Sequence, residues 1–209
     1  MANQDERLFF PATQRNRVAI ANSISEYIPC SGTVLEIASG SGEHAVFFQT
    51  IFNHITWQTS DPHKTNRNSI LSWIISEGLT SRMKEPLDID VNIVPWQVSN
   101  YLSSRIRAIV CINMIHVTEW SSTLSLFNEA LNHLKKGDPL IIYGPFKRNG
   151  RYTSISNENF DKSLKIIDSN WGLRDLDLIN KLAIDLGYNN LNIIDMPANN
   201  FLAVYRKNL

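Results

Sequence analysis

In residues 34–44, Val-Leu-Glu-Ile-Ala-Ser-Gly-Ser-Gly-Glu-His, an apolar run containing an acid opens into a turn with two glycines. Few folds accommodate that order. Val34, Leu35 and Ile37 have the character of a short buried strand with Glu36 near its carboxyl end, and Gly40 and Gly42 allow a tight turn in which backbone approaches a ligand closely. Ala45, Val46, Phe47 and Phe48 begin an apolar helix face, so the spacing reads strand, loop, helix, with free amides at the helix start. An ordinary tight turn would use the same glycines, and Gly40-x-Gly42-x-x-Ala45 also satisfies the dinucleotide fingerprint of dehydrogenases. The next apolar run, beginning at Ile55, ends in Asp61, about 20 residues beyond the glycines. An acid there can accept from both hydroxyls of a ribose or cap the following helix, and Pro62 stops the strand.

The remaining elements alternate in kind. Helical spacing over 14–28 predicts a helix ahead of the first strand, ended by Pro29, and residues 64–77 predict a crossover helix stopping near Gly78. Alternation in Leu87-Asp88-Ile89-Asp90-Val91 predicts a third strand over 87–94. The continuous apolar run 108–112 predicts a fourth strand, buried on both faces and ending at Asn113. A helix over 121–135, a fifth strand at 140–143, helices near 158–168 and 175–186, and strands at 191–194 and 201–205 complete the order. Polar, aperiodic residues 147–159 suggest a lid-like loop. The short connection Pro197-Ala198-Asn199-Asn200 makes the last two strands an antiparallel pair.

These units predict one domain over residues 1–209: a three-layer α/β sandwich with a Rossmann-like, seven-stranded, mostly parallel sheet, a terminal antiparallel hairpin and an N-terminal helical extension. Ligands bind such sheets outside the carboxyl ends of the strands. Lys plus Arg and Asp plus Glu number 20 each, which argues against a broad nucleic-acid or anionic-membrane surface. No apolar run is long enough to span a bilayer, and the polar start is unlike a signal peptide, so a cytoplasmic protein is expected. Cys30 and Cys111 lack a CxxC pattern or a Cys/His cluster and are read as structural thiols, with no metal site.

In this order the chain resembles class I S-adenosylmethionine-dependent methyltransferases, and more closely the poorly characterised family that includes the methyltransferase-like protein 26 group. The matching segments include Phe10-Pro11-Ala12 with Arg15-Asn16, residues 35–42, Ile89-Asp90-Val91, residues 111–116, residues 143–146, residues 171–175 and residues 196–200. The resemblance implies S-adenosylmethionine as cofactor, with Glu36, Ala38, Ser39, Gly40 and Gly42 near its methionyl and ribose parts and Asp61 and Pro62 at the ribose. It also implies Asp90 and Val91 at adenine, and Asn113 with the Arg15-Asn16 pair at the amino-acid end. Arg107 stands where the family often has an acid at the start of that strand.

Methyl transfer from a sulfonium is an in-line displacement, so aligning the acceptor is the main task. Where the acceptor must lose a proton, His116 is the first candidate for a catalytic base, because an unperturbed imidazole titrates near neutrality. Residues 113–116 lack the Asn/Asp-Pro-Pro-aromatic signature of enzymes acting on exocyclic base or glutamine nitrogens, which disfavours nucleic acid. A small-molecule acceptor is expected, and a protein side chain is the second choice. Two other readings share the same loop: a noncatalytic S-adenosylmethionine-binding sensor or scaffold, and an NAD-dependent dehydrogenase.

Overall fold

The computed structural model describes residues 5–98, 102 and 104–208. The fold class is the expected one, an α/β Rossmann-like fold whose mixed, mostly parallel sheet is flanked by helices and ends in an antiparallel hairpin. Chain contacts divide it into two compact units, Met1–Val110 and Cys111–Leu209.

The first unit contains α1 (Pro11–Ile24), β1 (Thr33–Ile37), α2 (Glu43–Ile51), β2 (Thr56–Thr59), α3 (Lys64–Ser76) and most of β3 (Ile106–Ile112). Its strand order is β2-β1-β3, and β1 and β2 are parallel, with Thr33 opposite Thr56 and Glu36 opposite Thr59. All five residues of β1 are buried, which is why its sequence is a run rather than an alternation. Pro11 at the first turn of α1 suits its fixed φ, and Ile20, Ala21 and Ile24 turn inward. Phe48, Trp57, Ile70 and Ile74 are buried with the β1 side chains, and the Phe48 and Trp57 rings stand 5.0 Å apart.

The expected third strand over 87–94 is not a continuous strand. Leu87 forms an isolated parallel bridge with Ser60, and this single rung is what remains of the seventh sheet segment. Burial still alternates, with Leu87, Ile89 and Val91 inside and Asp88 exposed, so the periodicity was real. Two local features end the pairing. Pro86 has no N–H to give to a ladder, and the Asp90 side chain accepts from Asn92 N at 2.9 Å, turning the chain.

The second unit contains α4 (Trp120–His133), β4 (Pro139–Gly144), β5 (Lys147–Arg148), β6 (Arg151–Tyr152), α5 (Ile155–Ile167), α6 (Leu176–Asp185), β7 (Tyr188–Met196) and β8 (Asn200–Lys207). Strands β4, β8 and β7 are neighbours in that order, both pairs antiparallel, and β8 is the expected hairpin partner of β7. The expected loop over 147–159 is more ordered than its composition suggests. It opens as the β5-β6 ribbon, turned at Asn149 and Gly150 with φ of 49° and 73°, the Asn-Gly signature of a tight hairpin. Helix α5 then begins at Ile155, capped by Ser154 Oγ accepting from Asn157 N at 3.1 Å.

Among the described residues, no helix is long and apolar enough to cross a membrane. Cys30 is exposed and Cys111 buried, and neither forms a disulfide.

Candidate functional site

In the first unit, β1 delivers the chain into a loop whose Ala38, Gly40 and Gly42 have positive φ, at 56°, 57° and 93°. Gly42 is required twice over, because a Cβ there would also lie 2.9 Å from the Ile70 Cα. Asp61, at the end of β2 and only 2% exposed, holds this loop. Its Oδ2 accepts from Gly40 N at 3.0 Å, while Oδ1 accepts from His63 N at 2.9 Å and Asn66 Nδ2 at 3.0 Å. Arg67 Nη1 donates to the carbonyls of Asp61 and Pro62 at 2.9 and 2.8 Å, and Ser39 N donates to Ser60 O at 2.8 Å. A carboxylate offers about four acceptor positions, so Asp61 spends three on the protein and keeps one. The helix-start and loop-clamp roles are therefore built in, and a contact with both ribose hydroxyls requires one of these donors to be displaced.

Glu36 sits beneath the loop, 1% exposed, with Trp57 Nε1 donating to its Oε2 at 3.1 Å. Burial pushes its carboxyl up to about 7, against the pull of the Trp57 and Ser39 hydrogen bonds, and the Asp61 charge adds to the rise. The acid at the head of α2 is instead Glu43, which the sequence reading passed over. It is 2% exposed, and its Oε2 accepts from Ser41 Oγ at 3.0 Å and Phe10 N at 2.7 Å. An acid at the first helical position after a glycine turn was the available signal.

The other first-unit residues are placed as follows. Asn16 is turned toward His44, its Oδ1 2.8 Å from Nε2, and Arg15 beside it is exposed. Asp90 is half-buried in the turn described above, and the carbonyl of buried Val91 accepts from Trp96 Nε1 at 3.3 Å. A cleft of about 710 Å³ lies along α3 and residues 79–88, with Leu71, Ile74, Met83 and Leu87 among its walls; none of the expected cofactor residues lines it.

In the second unit, Asn113 adopts φ 63° as the chain leaves β3, its N–H donating to Tyr143 O at 2.8 Å. His116 follows in a single helical turn, 1% exposed, its ring edge-on to Phe146 at 4.9 Å. Among the described residues, neither ring nitrogen has a hydrogen-bond partner. Burial, with the Arg174 charge, pushes its pKa down to about 3, so the near-neutral titration expected of it is corrected: His116 is a neutral imidazole at pH 7. Its carbonyl accepts from Gly172 N at 2.9 Å, and Arg174 Nε donates to Ile115 O at 2.9 Å and Nη2 to Thr118 O, fixing the segment through its backbone. Nearby in sequence to those anchors, Leu173 N donates to the buried Asp161 at 2.6 Å. Tyr152 OH and Lys165 Nζ do so at 2.7 Å each. Burial pushes the Asp161 carboxyl up, but these donors outweigh it and hold it below the usual range. Asp161 therefore ties the β5-β6 ribbon to α5.

Among the described residues, no group of three or more His, Cys, Asp or Glu side chains could hold a metal ion.

The fold is shared with solved methyltransferases. An O-methyltransferase family protein from Burkholderia thailandensis superposes with a TM-score of 0.77 at 16% identity, over 94% of this chain and 57% of that one. A putative O-methyltransferase from Nostoc punctiforme gives 0.78 at 13%, over 94% and 57%. Human N-acetylserotonin methyltransferase, solved in complex with SAM, gives 0.73 at 10%, over 95% and 53%. The chain thus spans little more than half the length of these neighbours, and at such identities the likeness is one of fold. Residues 7–207 match the model of a protein family of unknown function, DUF938, and the chain belongs to that family.

Proposed function

We propose that the protein is an S-adenosylmethionine-dependent methyltransferase acting on a small molecule, allied to the methyltransferase-like protein 26 group. The carrying observation is the Glu43 carboxylate at the head of α2. In a dinucleotide site that helix start receives a pyrophosphate; here a carboxylate on the first residue of the helix is anchored beside it by Ser41 Oγ and Phe10 N, and a second anion would meet like-charge repulsion. A cofactor whose loop-facing part carries an ammonium and a sulfonium suits the same loop. This argues for S-adenosylmethionine over NAD.

The residues fit that group. Positive φ at Gly40 and Gly42 lets the loop turn tightly enough for its backbone to approach a ligand, and Asp61 retains one acceptor for a ribose hydroxyl. Asp90, half-buried, is available to the adenine amine. Arg15, exposed beside Asn16, supplies planar donors for the cofactor carboxylate. When bound, the cofactor would supply a methyl group on a sulfonium.

His116 is assigned to the methyl acceptor. As a neutral imidazole whose nitrogens have no partner among the described residues, it can orient an acceptor hydroxyl or amine, while its depressed basicity makes it a poor proton store at pH 7. Alignment then carries most of the acceleration. The test is a calorimetric titration with S-adenosylmethionine and with NADH, followed by incubation of the protein and methyl-labelled cofactor with a metabolite extract. Binding of the sulfonium cofactor alone, and label transferred to a small molecule, are expected. NADH binding alone would favour the dehydrogenase; cofactor binding without transfer to metabolites or protein would favour the sensor.

A further inference from the structure

The segment ahead of α1 is fastened onto the glycine loop by a set of contacts of which the cofactor reading uses only the one to Glu43. Leu8 N donates to Ser69 Oγ at 2.8 Å, and Ser69 Oγ in turn donates to Ser41 O at 2.7 Å. Trp73 Nε1 donates to Leu8 O at 3.0 Å, the Phe9 ring stands edge-on to Trp73 at 5.1 Å, and the Arg7 guanidinium lies 4.9 Å from the Trp73 ring. The strap ends in the 2.7 Å hydrogen bond from Phe10 N to Glu43. These fastenings set the Phe10 ring on the side-chain side of Gly40, where its Cε2 lies 3.3 Å from the position of a Cβ. Phe10 is nevertheless 44% exposed. A ring fixed beside a glycine turn and still partly exposed is within reach of a ligand that approaches the loop backbone.

We infer that Phe10 is the aromatic partner of the cofactor's sulfonium, presented over Gly40 by the strap with Glu43 as its positioning residue. The inference rests on the cofactor reading above and extends it to selectivity by charge state. A cation near an aromatic face is attracted by the ring quadrupole, whereas the neutral thioether left after methyl transfer is not. Phe10 thus favours the methyl donor over the spent cofactor and eases product release.

The test compares dissociation constants for S-adenosylmethionine and S-adenosylhomocysteine in the wild-type protein and in Phe10→Leu, which keeps apolar bulk and removes the quadrupole. The expected result is a loss of about 3- to 30-fold for the sulfonium compound with a much smaller change for the thioether. Phe10→Tyr should restore the ratio. Glu43→Ala, which releases the strap and removes the charge, should lower the same ratio further than Glu43→Gln, which removes the charge and keeps an acceptor for Phe10 N. Melting temperature is measured alongside, because a merely structural role would lower stability without moving the ratio. Equal losses for both compounds, or none, in Phe10→Leu overturn the inference while leaving the cofactor reading intact. Failure of the wild-type protein to bind either compound sinks that reading, and this inference with it.

Discussion

The His116 imidazole lies against the backbone of Gly144 so closely that a Cβ on Gly144 would stand 2.3 Å from Nε2 and 2.8 Å from Cδ2. Gly144 closes β4 without a positive φ, so its lack of a side chain is a matter of space, not of backbone freedom. Gly144→Ala should therefore destabilise the protein by about 1–3 kcal/mol through overpacking. In a His116→Ala background the added methyl enters space the ring has vacated. The two substitutions should couple by about 0.5–3 kcal/mol in a double-mutant cycle read by denaturant unfolding. Additive effects would mean that the ring is not held against Gly144.

The same histidine makes a prediction about pH. Its folded pKa of about 3 lies below the ordinary 6.5, so the folded state resists protonation while the unfolded chain does not. The associated stability is present in full above pH 6.5 and is lost as pH falls toward 3, at up to about 1.4 kcal/mol per pH unit. His116→Phe should flatten this acid limb between pH 6.5 and 4 in unfolding free energies measured at each pH. For methyl transfer, the profile should carry no inflection near pH 6.5 from this residue. An inflection there that vanishes in His116→Phe would restore the titrating base expected from sequence.

Much of the fold was legible because its signals are local and mutually consistent. The β1 run, the two glycines of its loop and the Pro197–Asn200 connection each constrain one backbone, and the chain takes it. Residues 87–94 were misjudged for a different reason: alternation reports which side chains are inside, not whether their amides find a ladder. The Asn149-Gly150 turn was a hairpin signal submerged in polar composition. Asp61 is marked in the sequence by its spacing from the glycines, but its three protein donors depend on how α3 starts, and the role of Glu43 depends on its contact with Phe10, which is distant in sequence. The His116 environment was not legible at all, since Phe146, Gly144 and Gly172 are distant in sequence and together remove it from water.

Glu36 should give the opposite pH dependence to His116. Its folded pKa of about 7 lies above the ordinary 4.5, so the folded state holds a proton that the unfolded chain releases. Stability from this group is present below pH 4.5, falls as pH rises from 4.5 to 7, and is then gone, a difference of about 3 kcal/mol in all. Glu36→Gln keeps an oxygen to accept from Trp57 Nε1 and removes the titration. The variant should therefore gain stability relative to the wild-type protein as pH rises from 5 to 8. A constant difference across that range would mean that burial does not raise the Glu36 carboxyl above its ordinary range.

Asp61 should answer for both the loop and the ligand. Asp61→Ala strips the acceptors from Gly40 N, His63 N and Asn66 Nδ2 together, and hydrogen bonds to a charged group contribute about 1.5–3 kcal/mol each. Relaxation and water entry offset part of that, so a fall of about 2 kcal/mol or more in unfolding free energy is expected. Cofactor affinity should drop at least about tenfold, because the released glycine loop must be reordered on binding. Asp61→Asn is the sharper comparison. Its single carbonyl can satisfy either the Gly40 side or the His63 and Asn66 side, and its amide then turns a donor toward a donor. The Asn variant should therefore recover little of the loss, in melting temperature or in calorimetric affinity for S-adenosylmethionine. Wild-type affinity in Asp61→Asn would show that the charge and the clamp are dispensable, and would remove Asp61 from the site.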